Sequence, residues 1–266
     1  MTTIHPTAVI ENGATIGKNV RVGPYSVVGS QVEIGDGVEL LSNIVVTGNT
    51  SIGSNTRIFP FASIGHQPQD QKYQGEPSKL EIGANNVIRE HVTMNPGTEG
   101  GGMVTKIGNN CLFMVGAHVA HDCKIQDNVI LVNNATLGGH VEIGEWAIIG
   151  GLSAIHQFVR VGKHAMVGGM TGVESDVIPY GTVIGNRARL QGLNIVGLRR
   201  RNFSREMVHD IRKAYRLIFA EEGTMSERIE DVAQDFATNE AVMEIVDFIS
   251  TDSSRSICQP HMDDAA

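Results

Sequence analysis

Four histidines in the middle of the chain are the residues best suited to chemistry. They are His118 and His121 in the run Ala-His-Val-Ala-His-Asp, His140 after two glycines, and His156 before Gln157. An imidazole titrates near neutral pH, so it can remove a proton from a hydroxyl group, and its neutral form can bind a metal ion. The sequence contains no motif of a serine nucleophile, a P-loop or a dinucleotide-binding glycine loop.

Three interpretations of these histidines are open. They are polar residues on a solvent-exposed edge, ligands of zinc in a lyase of the carbonic-anhydrase type, or the base and binding groups of an enzyme that deprotonates a hydroxyl group. Asp122 directly follows His121, where a carboxylate can orient the ring and stabilise its protonated form. We favour general base catalysis, because four histidines that lie together are harder to explain as exposed polar residues than a single histidine is.

A six-residue repeat runs through most of the chain and determines where these histidines lie. An aliphatic residue or, less often, Met or Phe recurs at every sixth position over 4–64, 82–94 and 107–173. The position two before each is small or β-branched, so it must also point into a tight interior. Each hexad then forms a short strand and a turn, and three hexads close a triangular coil of about 18 residues. The pattern predicts a mainly β protein with a parallel β-helix over 1–190.

The coil length brings the histidines together. One coil beyond position 121 is 139, next to His140, and two coils beyond it is 157, next to His156. Position 118 moves by two coils to 154. We therefore expect all four rings near one edge, on three adjacent coils.

Glycines and cysteines occupy fixed places in the repeat. Glycine often follows the aliphatic residue, as at Gly23 and Gly35, and we expect a left-handed backbone conformation there. Cys111 and Cys123 lie at the small inward position, so packing explains them without any reactivity.

The repeat is interrupted twice and then gives way to helices. A β-helix accommodates extra residues by extruding a loop at a corner, which predicts loops over 66–79 and 95–105 that carry functional groups. Helical spacing of apolar residues after Ser204, a candidate N-cap, predicts a small C-terminal α-helical domain over 191–250. The polar end, 251–266, is predicted to be a flexible tail.

Composition limits the possible partners and location. The net charge of -8 argues against nucleic-acid binding, which needs a basic surface. Three cysteines without CxxC spacing suit a reducing compartment. No apolar run is long enough to span a membrane and no signal peptide is evident, so we expect a cytoplasmic protein without a membrane span.

Specific motifs spread over the chain point to one family. They are Gln69-Asp70-Gln71-Lys72-Tyr73, Ala117-His118-Val119-Ala120-His121-Asp122-Cys123, Asn133-Asn134-Ala135-Thr136-Leu137, Gly139-His140, His156-Gln157-Phe158 and Asn202-Phe203-Ser204-Arg205-Glu206. Together they resemble the UDP-N-acetylglucosamine O-acyltransferases of lipid A biosynthesis, a family of hexapeptide-repeat enzymes. The resemblance implies a left-handed winding of the β-helix, which the right-handed rule for parallel connections does not give.

The resemblance also implies a reaction and a set of roles. The reaction is transfer of a 3-hydroxyacyl chain from acyl carrier protein to the 3-hydroxyl of UDP-N-acetylglucosamine, the first step of lipid A biosynthesis. No metal and no cofactor are implied besides the carrier-protein thioester. His121 matches the general base, Asp122 its partner and the Gly139 N–H the oxyanion donor, while Gly169 matches an acyl-length gauge that leaves room for a myristoyl-like chain. The substrate-binding positions are Asp70, Lys72, His118, His140, His156, Gln157, Asn194, Arg200 and Arg201.

Two positions depart from the family pattern. Asn95-Pro96-Gly97 stands in the second loop where the best-known members have His-Arg-Gly, and Val196 stands where they have a glutamate that contacts the nucleotide. The first departure leaves two acceptors open, the 3-hydroxyl and a 3-amino analogue of the sugar. The second suggests a changed uridine contact.

The resemblance finally implies two kinds of protein partner. One is a homotrimer, with sites between neighbouring subunits. The other is acyl carrier protein, which is acidic and complements a basic cluster near the first long helix. On the sequence alone this cluster is equally well a solvated helix face. Its members are Arg199, Arg200, Arg201, Arg205, Arg212, Lys213 and Arg216.

Overall fold

The computed structural model describes residues 1–260, and in them three parallel β-sheets wind around one apolar interior. Successive strands belong to successive sheets, so three strands complete one coil. Each strand pairs with the strand one coil later, as Thr3 does with Arg21. The predicted parallel β-helix of short strands is therefore present.

The strands are mostly two residues long. The first sheet contains Thr3–Ile4, Arg21–Val22, Glu39–Leu40, Arg57–Ile58, Val87–Ile88, Leu112–Phe113, Ile130–Leu131, Ile148–Ile149, Met166–Val167, Gly181–Ile184 and the antiparallel Arg189–Leu193. The second contains Val9–Ile10, Val27–Val28, Val45–Val46, Ser63–Ile64, Thr93–Met94, His118–Val119, Thr136–Leu137, Ala154–Ile155 and Gly172–Val173. The third contains Thr15–Ile16, Glu33–Ile34, Asn49–Ile52, Lys79–Ile82, Val104–Ile107, Lys124–Ile125, Glu142–Ile143 and Arg160–Val161.

Two coils carry an insertion, and both insertions lie near the predicted loops. The chain leaves the sheets between Ile64 and Lys79, and again between Met94 and Val104, where a 3-10 helix spans Glu99–Gly101. Strand pairing resumes at 79, the last residue of the first predicted loop, and at 104, one residue before the end of the second. The reason is that an extra inward-pointing residue, such as the buried Thr105, extends each strand. Both loops extrude without changing the register of the coils around them.

The interior is filled by the repeating aliphatic residues and the small residues two positions before them. Leu131 and Leu137 are fully buried, and Cys111 and Cys123 lie among them at the small position. Burial raises the pKa of the Cys111 thiol to about 11 and that of Cys123 to about 12. Both thiols are therefore protonated near neutral pH and act as packing residues.

The expectation for the repeating glycines is wrong at most positions, although Gly65 does have a positive φ of 84°. The left-handed residue lies three positions after the aliphatic, as at Asn134 (φ 56°) and His140 (φ 61°), while Gly23 does not have a positive φ. Gly23 is needed for another reason, because a Cβ there would lie 1.2 Å from the carbonyl oxygen of Leu41 in the next coil. The glycine permits close stacking of coils, and the corner residue makes the turn.

Among the residues described, four α-helices follow the β-helix. They are Ile195–Arg200, Arg205–Ile218, Met225–Asp235 and Glu240–Ser250. The Ser204 hydroxyl accepts a hydrogen bond from the Met207 N–H (3.0 Å), as expected of an N-cap. The longer helices bury a second apolar cluster that includes Ile211 and Val242. Within residues 1–260, no helix is long and apolar enough to cross a membrane.

The predicted flexible tail behaves differently in its described part, 251–260. Asp176 pairs with Ile257 and Leu190 with Pro260 in backbone bridges, and Cys258 is buried against the last coils. Ile257 and Cys258 supply apolar contacts that the polar composition of the segment hid. Residues 261–266, the rest of the predicted tail, lie outside the described part of the chain.

The stacked interior predicts a large effect of core truncation. We expect Leu137→Ala to lower the free energy of unfolding by about 2–5 kcal/mol, because a fully buried leucine leaves a cavity that stacked coils cannot close. Denaturant unfolding followed by circular dichroism measures this. The control is Val196→Ala, at a side chain that is 60% exposed, where we expect a change below about 0.5 kcal/mol. Equal effects of the two substitutions would contradict this account of the core.

Candidate active site

One corner of the β-helix stacks polar and aromatic side chains from three successive coils. We call Asp122, His140 and Phe158 the Asp122 corner; each has a left-handed backbone, with φ of 59°, 61° and 66°. The coils are tied together there, because the His140 N–H donates to the His121 carbonyl (3.0 Å). The His140 and Phe158 rings stack with centroids 4.4 Å apart. The turn that the fold requires therefore also orders these side chains.

A hydrogen-bonded pair, His121 and Asp122, lies at this corner. Asp122 is 2% exposed, and its Oδ2 lies 2.8 Å from His121 Nδ1. A buried carboxylate accepts hydrogen bonds, so Nδ1 carries the proton and the other ring nitrogen, Nε2, keeps its lone pair. The arrangement is that of an oriented general base.

The second extruded loop completes the environment of this carboxylate. The Thr98 N–H donates to Asp122 Oδ1 (2.9 Å), and the Thr98 hydroxyl donates to Oδ2 (2.6 Å). The loop comes this close because of glycine: a Cβ on Gly101 would lie 1.9 Å from the carboxylate carbon. Sequence reasoning missed Thr98, although its place in a loop predicted to carry function was a signal.

The first extruded loop approaches the opposite side of the ring. Asp70 Oδ2 lies 4.0 Å from His121 Nε2, too far for a direct hydrogen bond. The Lys72 N–H holds the other carboxylate oxygen of Asp70 at 3.0 Å. His121 Nε2 therefore faces a carboxylate across a gap and remains free to accept a proton from a third group.

Gly139 lies directly against the His121 ring. A Cβ at this position would lie 2.5 Å from the ring carbon Cε1, so only glycine fits. Among the described residues, the Gly139 N–H has no hydrogen-bond partner, although its carbonyl accepts from the Phe158 N–H. A free N–H beside the candidate base can stabilise an oxyanion.

His118 and His140 flank the pair as neutral rings. His118 Nδ1 lies 2.7 Å from Thr93 Oγ1, and the His140 ring meets His121 edge-on at a centroid distance of 5.1 Å. Burial lowers the pKa of both His118 and His140 below its ordinary value. Neither ring competes for the role of the carboxylate-paired base.

His156 and Gln157 follow on the next coil, and an unpredicted residue holds them. The guanidinium of Arg255 lies 2.8 Å from His156 Nδ1 and donates to the Gln157 carbonyl at 3.1 Å. Arg255 was missed because it lies in the segment predicted to be a flexible tail.

Three of the predicted binding residues lie at a different corner, formed by Trp146, His164 and Tyr180, which we call the Trp146 corner. Asn194 caps the helix Ile195–Arg200 and donates to the His164 carbonyl (2.9 Å). The Arg201 guanidinium lies over the Trp146 ring, 5.1 Å from its centroid. Arg200 is exposed at the helix end. In residues 1–260, no hydrogen bond or ion pair joins these three residues to the His121–Asp122 pair.

Gly169 lies at the third corner, beside exposed apolar side chains. A Cβ at Gly169 would meet only the Gly151 carbonyl, at 3.4 Å, so the space above it is open. Leu152 and Met170, 63% and 74% exposed, occupy the corner positions next to it. This surface can accept an apolar chain along the edge of the coils.

The residues His121, Asp122 and His140 also offer three ligand atoms within 4.8 Å of one another. The donor set is one that zinc accepts. However, the Asp122 carboxylate already accepts hydrogen bonds from Thr98 and His121, and a metal ion would have to replace the latter. The geometry therefore favours the hydrogen-bonded pair over a metal centre.

Known proteins with similar sequences match this chain over most of its length. Residues 176–258 match domain 2 of the family described as UDP N-acetylglucosamine O-acyltransferase, and residues 105–139 match the bacterial transferase hexapeptide (six repeats). The chain is 58% identical to the acyl-(acyl-carrier-protein)-UDP-N-acetylglucosamine O-acyltransferase of Methylobacterium radiotolerans, covering 97% of this chain and 94% of the relative. It is 52% identical to that of Caulobacter vibrioides, covering 97% and 98%.

Solved structures agree over the same length. A UDP-N-acetylglucosamine acyltransferase with 44% identity superimposes with a TM-score of 0.94, covering 97% of this chain and 99% of that one. LpxA from Acinetobacter baumannii, 42% identical, gives 0.93 and covers 96% and 99%. These likenesses confirm the predicted left-handed parallel β-helix followed by α-helices.

The Trp146 corner predicts a pH dependence of stability. Burial, with the Arg201 guanidinium next, lowers the pKa of His164 from 6.5 to about 4. The unfolded chain therefore binds more protons between these values, and the free energy of unfolding falls as the pH drops from 6.5 towards 4. We expect His164→Phe, which keeps the ring stack, to weaken this pH dependence in denaturant unfolding. His5→Phe, at an exposed position, serves as the control; an unchanged slope in the His164 variant would contradict the assignment.

Proposed function

Because this chain belongs to the UDP-N-acetylglucosamine O-acyltransferase family, we propose that it transfers an acyl chain from acyl carrier protein to the 3-hydroxyl of UDP-N-acetylglucosamine. The observation that carries the mechanism is the His121–Asp122 pair, with Nδ1 bound to the carboxylate at 2.8 Å. It leaves Nε2 as a free acceptor at the surface of the site. The acyl chain is a 3-hydroxyacyl group, and the carrier-protein thioester is the only co-substrate that the proposal requires.

The proposed reaction proceeds by general base catalysis. His121 Nε2 takes the proton of the sugar hydroxyl while the oxygen attacks the thioester carbonyl carbon. Asp122 stabilises the imidazolium that forms. The tetrahedral intermediate then collapses, the C–S bond breaks, and the sulfur leaves as a thiol with the proton that His121 returns. An oxygen ester and the free carrier-protein thiol are the products.

The free N–H of Gly139 is the proposed donor to the intermediate. It is adjacent to the His121 ring, so a carbonyl attacked by the deprotonated hydroxyl lies within reach of both groups. Because the donor is part of the backbone at a tightly packed position, it needs no rearrangement during the reaction. This preorganisation supports an acyl-transfer step.

The remaining groups around the pair are proposed to bind the substrates. Asp70 and Lys72 approach from the first loop, and three further polar residues follow the edge of the coils. These are His118, His140 and His156, with Gln157 beside the last of them. Gly169 and the exposed Met170 lie further along the coils, where we propose that the acyl chain runs.

The separation of the two corners supports a site made by more than one subunit. Asn194, Arg200 and Arg201 have no contact with the His121–Asp122 pair within the described chain, yet the family pattern assigns them to nucleotide binding. A homotrimer in which one subunit's Trp146 corner faces its neighbour's Asp122 corner reconciles these facts. The basic cluster beside this corner, which includes Arg205 and Arg212, is proposed to dock acyl carrier protein.

Asn95 stands in the second loop where the family pattern has a histidine, and we propose that the acceptor is nevertheless the sugar 3-hydroxyl. Its side-chain N–H groups donate to the carbonyls of His66 (2.9 Å) and Gln67 (3.3 Å), so the residue joins the two loops. It is 5% exposed. A change that serves loop packing does not require a 3-amino acceptor.

The cytoplasm is the proposed location, because acyl carrier protein is a co-substrate.

The mechanism predicts a strong dependence on His121. We expect His121→Ala to lower kcat by about 10²–10⁴ because the general base is lost. The assay mixes purified protein with UDP-N-acetylglucosamine and 3-hydroxyacyl carrier protein and follows the acylated sugar nucleotide. His5→Ala, an exposed histidine of the first coil, is the matched control and should keep the wild-type rate.

Several results of this assay would overturn the proposal. An inactive wild type would refute the reaction, and a His121→Ala variant with near-full rate would refute the assigned base. Turnover only with the 3-amino sugar analogue would assign the other acceptor. Stoichiometric zinc by elemental analysis, together with loss of the metal in His121→Ala, would support the lyase instead.

The open space at Gly169 predicts control of acyl length. We expect Gly169→Met to lower kcat/KM for a myristoyl-length donor much more than for a decanoyl-length donor, because the new side chain would fill the space above Gly169. Gly169→Ala should give a smaller change in the same direction. Competition between the two donors in one reaction measures the ratio. If both variants keep the wild-type ratio, Gly169 does not border the acyl chain.

A further inference from the structure

Arg255, in the C-terminal segment 251–260, contacts the edge of the coils that carries the histidines. The Nη2 atom of its guanidinium lies 2.8 Å from His156 Nδ1, and its Nε donates to the Gln157 carbonyl at 3.1 Å. The two contacts form a fork on adjacent residues of one coil. Nothing in the repeat requires them, since Arg255 is 98 residues beyond Gln157.

The segment holds Arg255 in place through a buried carboxylate. Asp176, which is fully buried, accepts hydrogen bonds from the Ser253 hydroxyl (2.7 Å) and from the Arg160 side chain (2.7 Å). The backbone around it bonds to both sides of the segment, with the Asp176 N–H donating to Ser256 and the Cys258 N–H donating to Asp176, each at 2.8 Å. Arg255 lies between these anchors. Its position is therefore fixed by the fold and not by a surface contact alone.

The fork determines which ring nitrogen of His156 carries the proton. A guanidinium has only donors, so the nitrogen that it contacts must be an acceptor. The Gln157 carbonyl also lies 3.2 Å from Nδ1, but an Nδ1 that accepts from the guanidinium has no proton to donate to it. The proton is then on Nε2, which points away from Arg255.

We propose that Arg255 is a positioning residue that holds His156 in its Nε2–H form, so that this ring donates a hydrogen bond to the sugar nucleotide. The inference rests on the proposed function, in which His156 binds substrate. The same segment forms a wall of a groove of about 380 Å³ whose other wall includes Asp122, His140 and Phe158, while Thr251 and Ser254 line the segment's side. The C-terminal segment therefore borders the Asp122 corner as well as contacting His156.

The direct test reads the tautomer of His156. Long-range proton–nitrogen NMR spectra of the folded protein labelled with 15N-histidine distinguish a protonated Nε2 from a protonated Nδ1, and His156→Gln assigns the signal. In the wild type we expect the Nε2–H pattern. In Arg255→Gln, which removes the fork, we expect averaged or Nδ1–H shifts. An unchanged His156 pattern in Arg255→Gln would overturn the proposal.

The second test separates positioning from a structural role. We expect Arg255→Gln to raise KM for UDP-N-acetylglucosamine by about two- to tenfold, the effect of losing the hydrogen bond that the neutral His156 ring donates, with little change in kcat or in KM for the acyl donor. Arg255→Lys, which keeps the charge without the fork, should recover part of the loss. Arg187→Gln, at an exposed arginine paired with Glu174 at the same end of the coils, is the control and should match the wild type.

A double variant completes the test. If Arg255 acts through His156, Arg255→Gln should have no further effect on KM in a His156→Ala background. Additive effects of the two substitutions would overturn the proposal, as would a loss confined to thermal stability. A wild type without acyl transfer would refute the proposed function alone, because the NMR tautomer still reports whether Arg255 positions His156.

Discussion

The buried carboxylate of Asp122 is the interaction on which the rest of the site depends. Because it is removed from water, it needs hydrogen-bond donors, and it has three. They are the His121 ring in its own coil and both the N–H and the hydroxyl of Thr98 in the second loop. The same atoms therefore orient the His121 ring, fix its tautomer and fasten the loop. Because the three donors share one carboxylate, the loss of any one of them also alters the hydrogen bonds of the other two.

The stacking of the coils sets where such a group can lie. Backbones separated by one strand spacing leave no room for a Cβ at Gly23, and the His121 ring leaves none at Gly139. At the corners the chain turns through a left-handed residue, and its side chain then stacks on those one coil above and below. His140 and Phe158 show that a column of corners can be an ordered array of functional groups.

The C-terminal segment shows how a chain end returns to a site built far earlier in the sequence. Asp176 lies near the last coil and is bound by the segment, and Arg255 then reaches back to His156. The helices lie between these points in the sequence. The region after the β-helix therefore contacts a predicted site residue, His156, as well as packing against the last coils.

The sequence by itself determined the coil and the two extruded loops, because a strict six-residue period converts sequence distance directly into spatial distance. Of the four histidines predicted to gather, His118, His121 and His140 lie close together, and His156 lies on the next coil, where it contacts Arg255. The sequence also indicated the family, because several of its short motifs are specific to that family. It did not predict the role of the repeating glycines, since close approach of two backbones is invisible in a one-dimensional pattern. Thr98 and Arg255 were missed for a related reason. Both act across irregular segments where no period relates sequence to space, so only the tertiary structure decided that one meets Asp122 and the other His156.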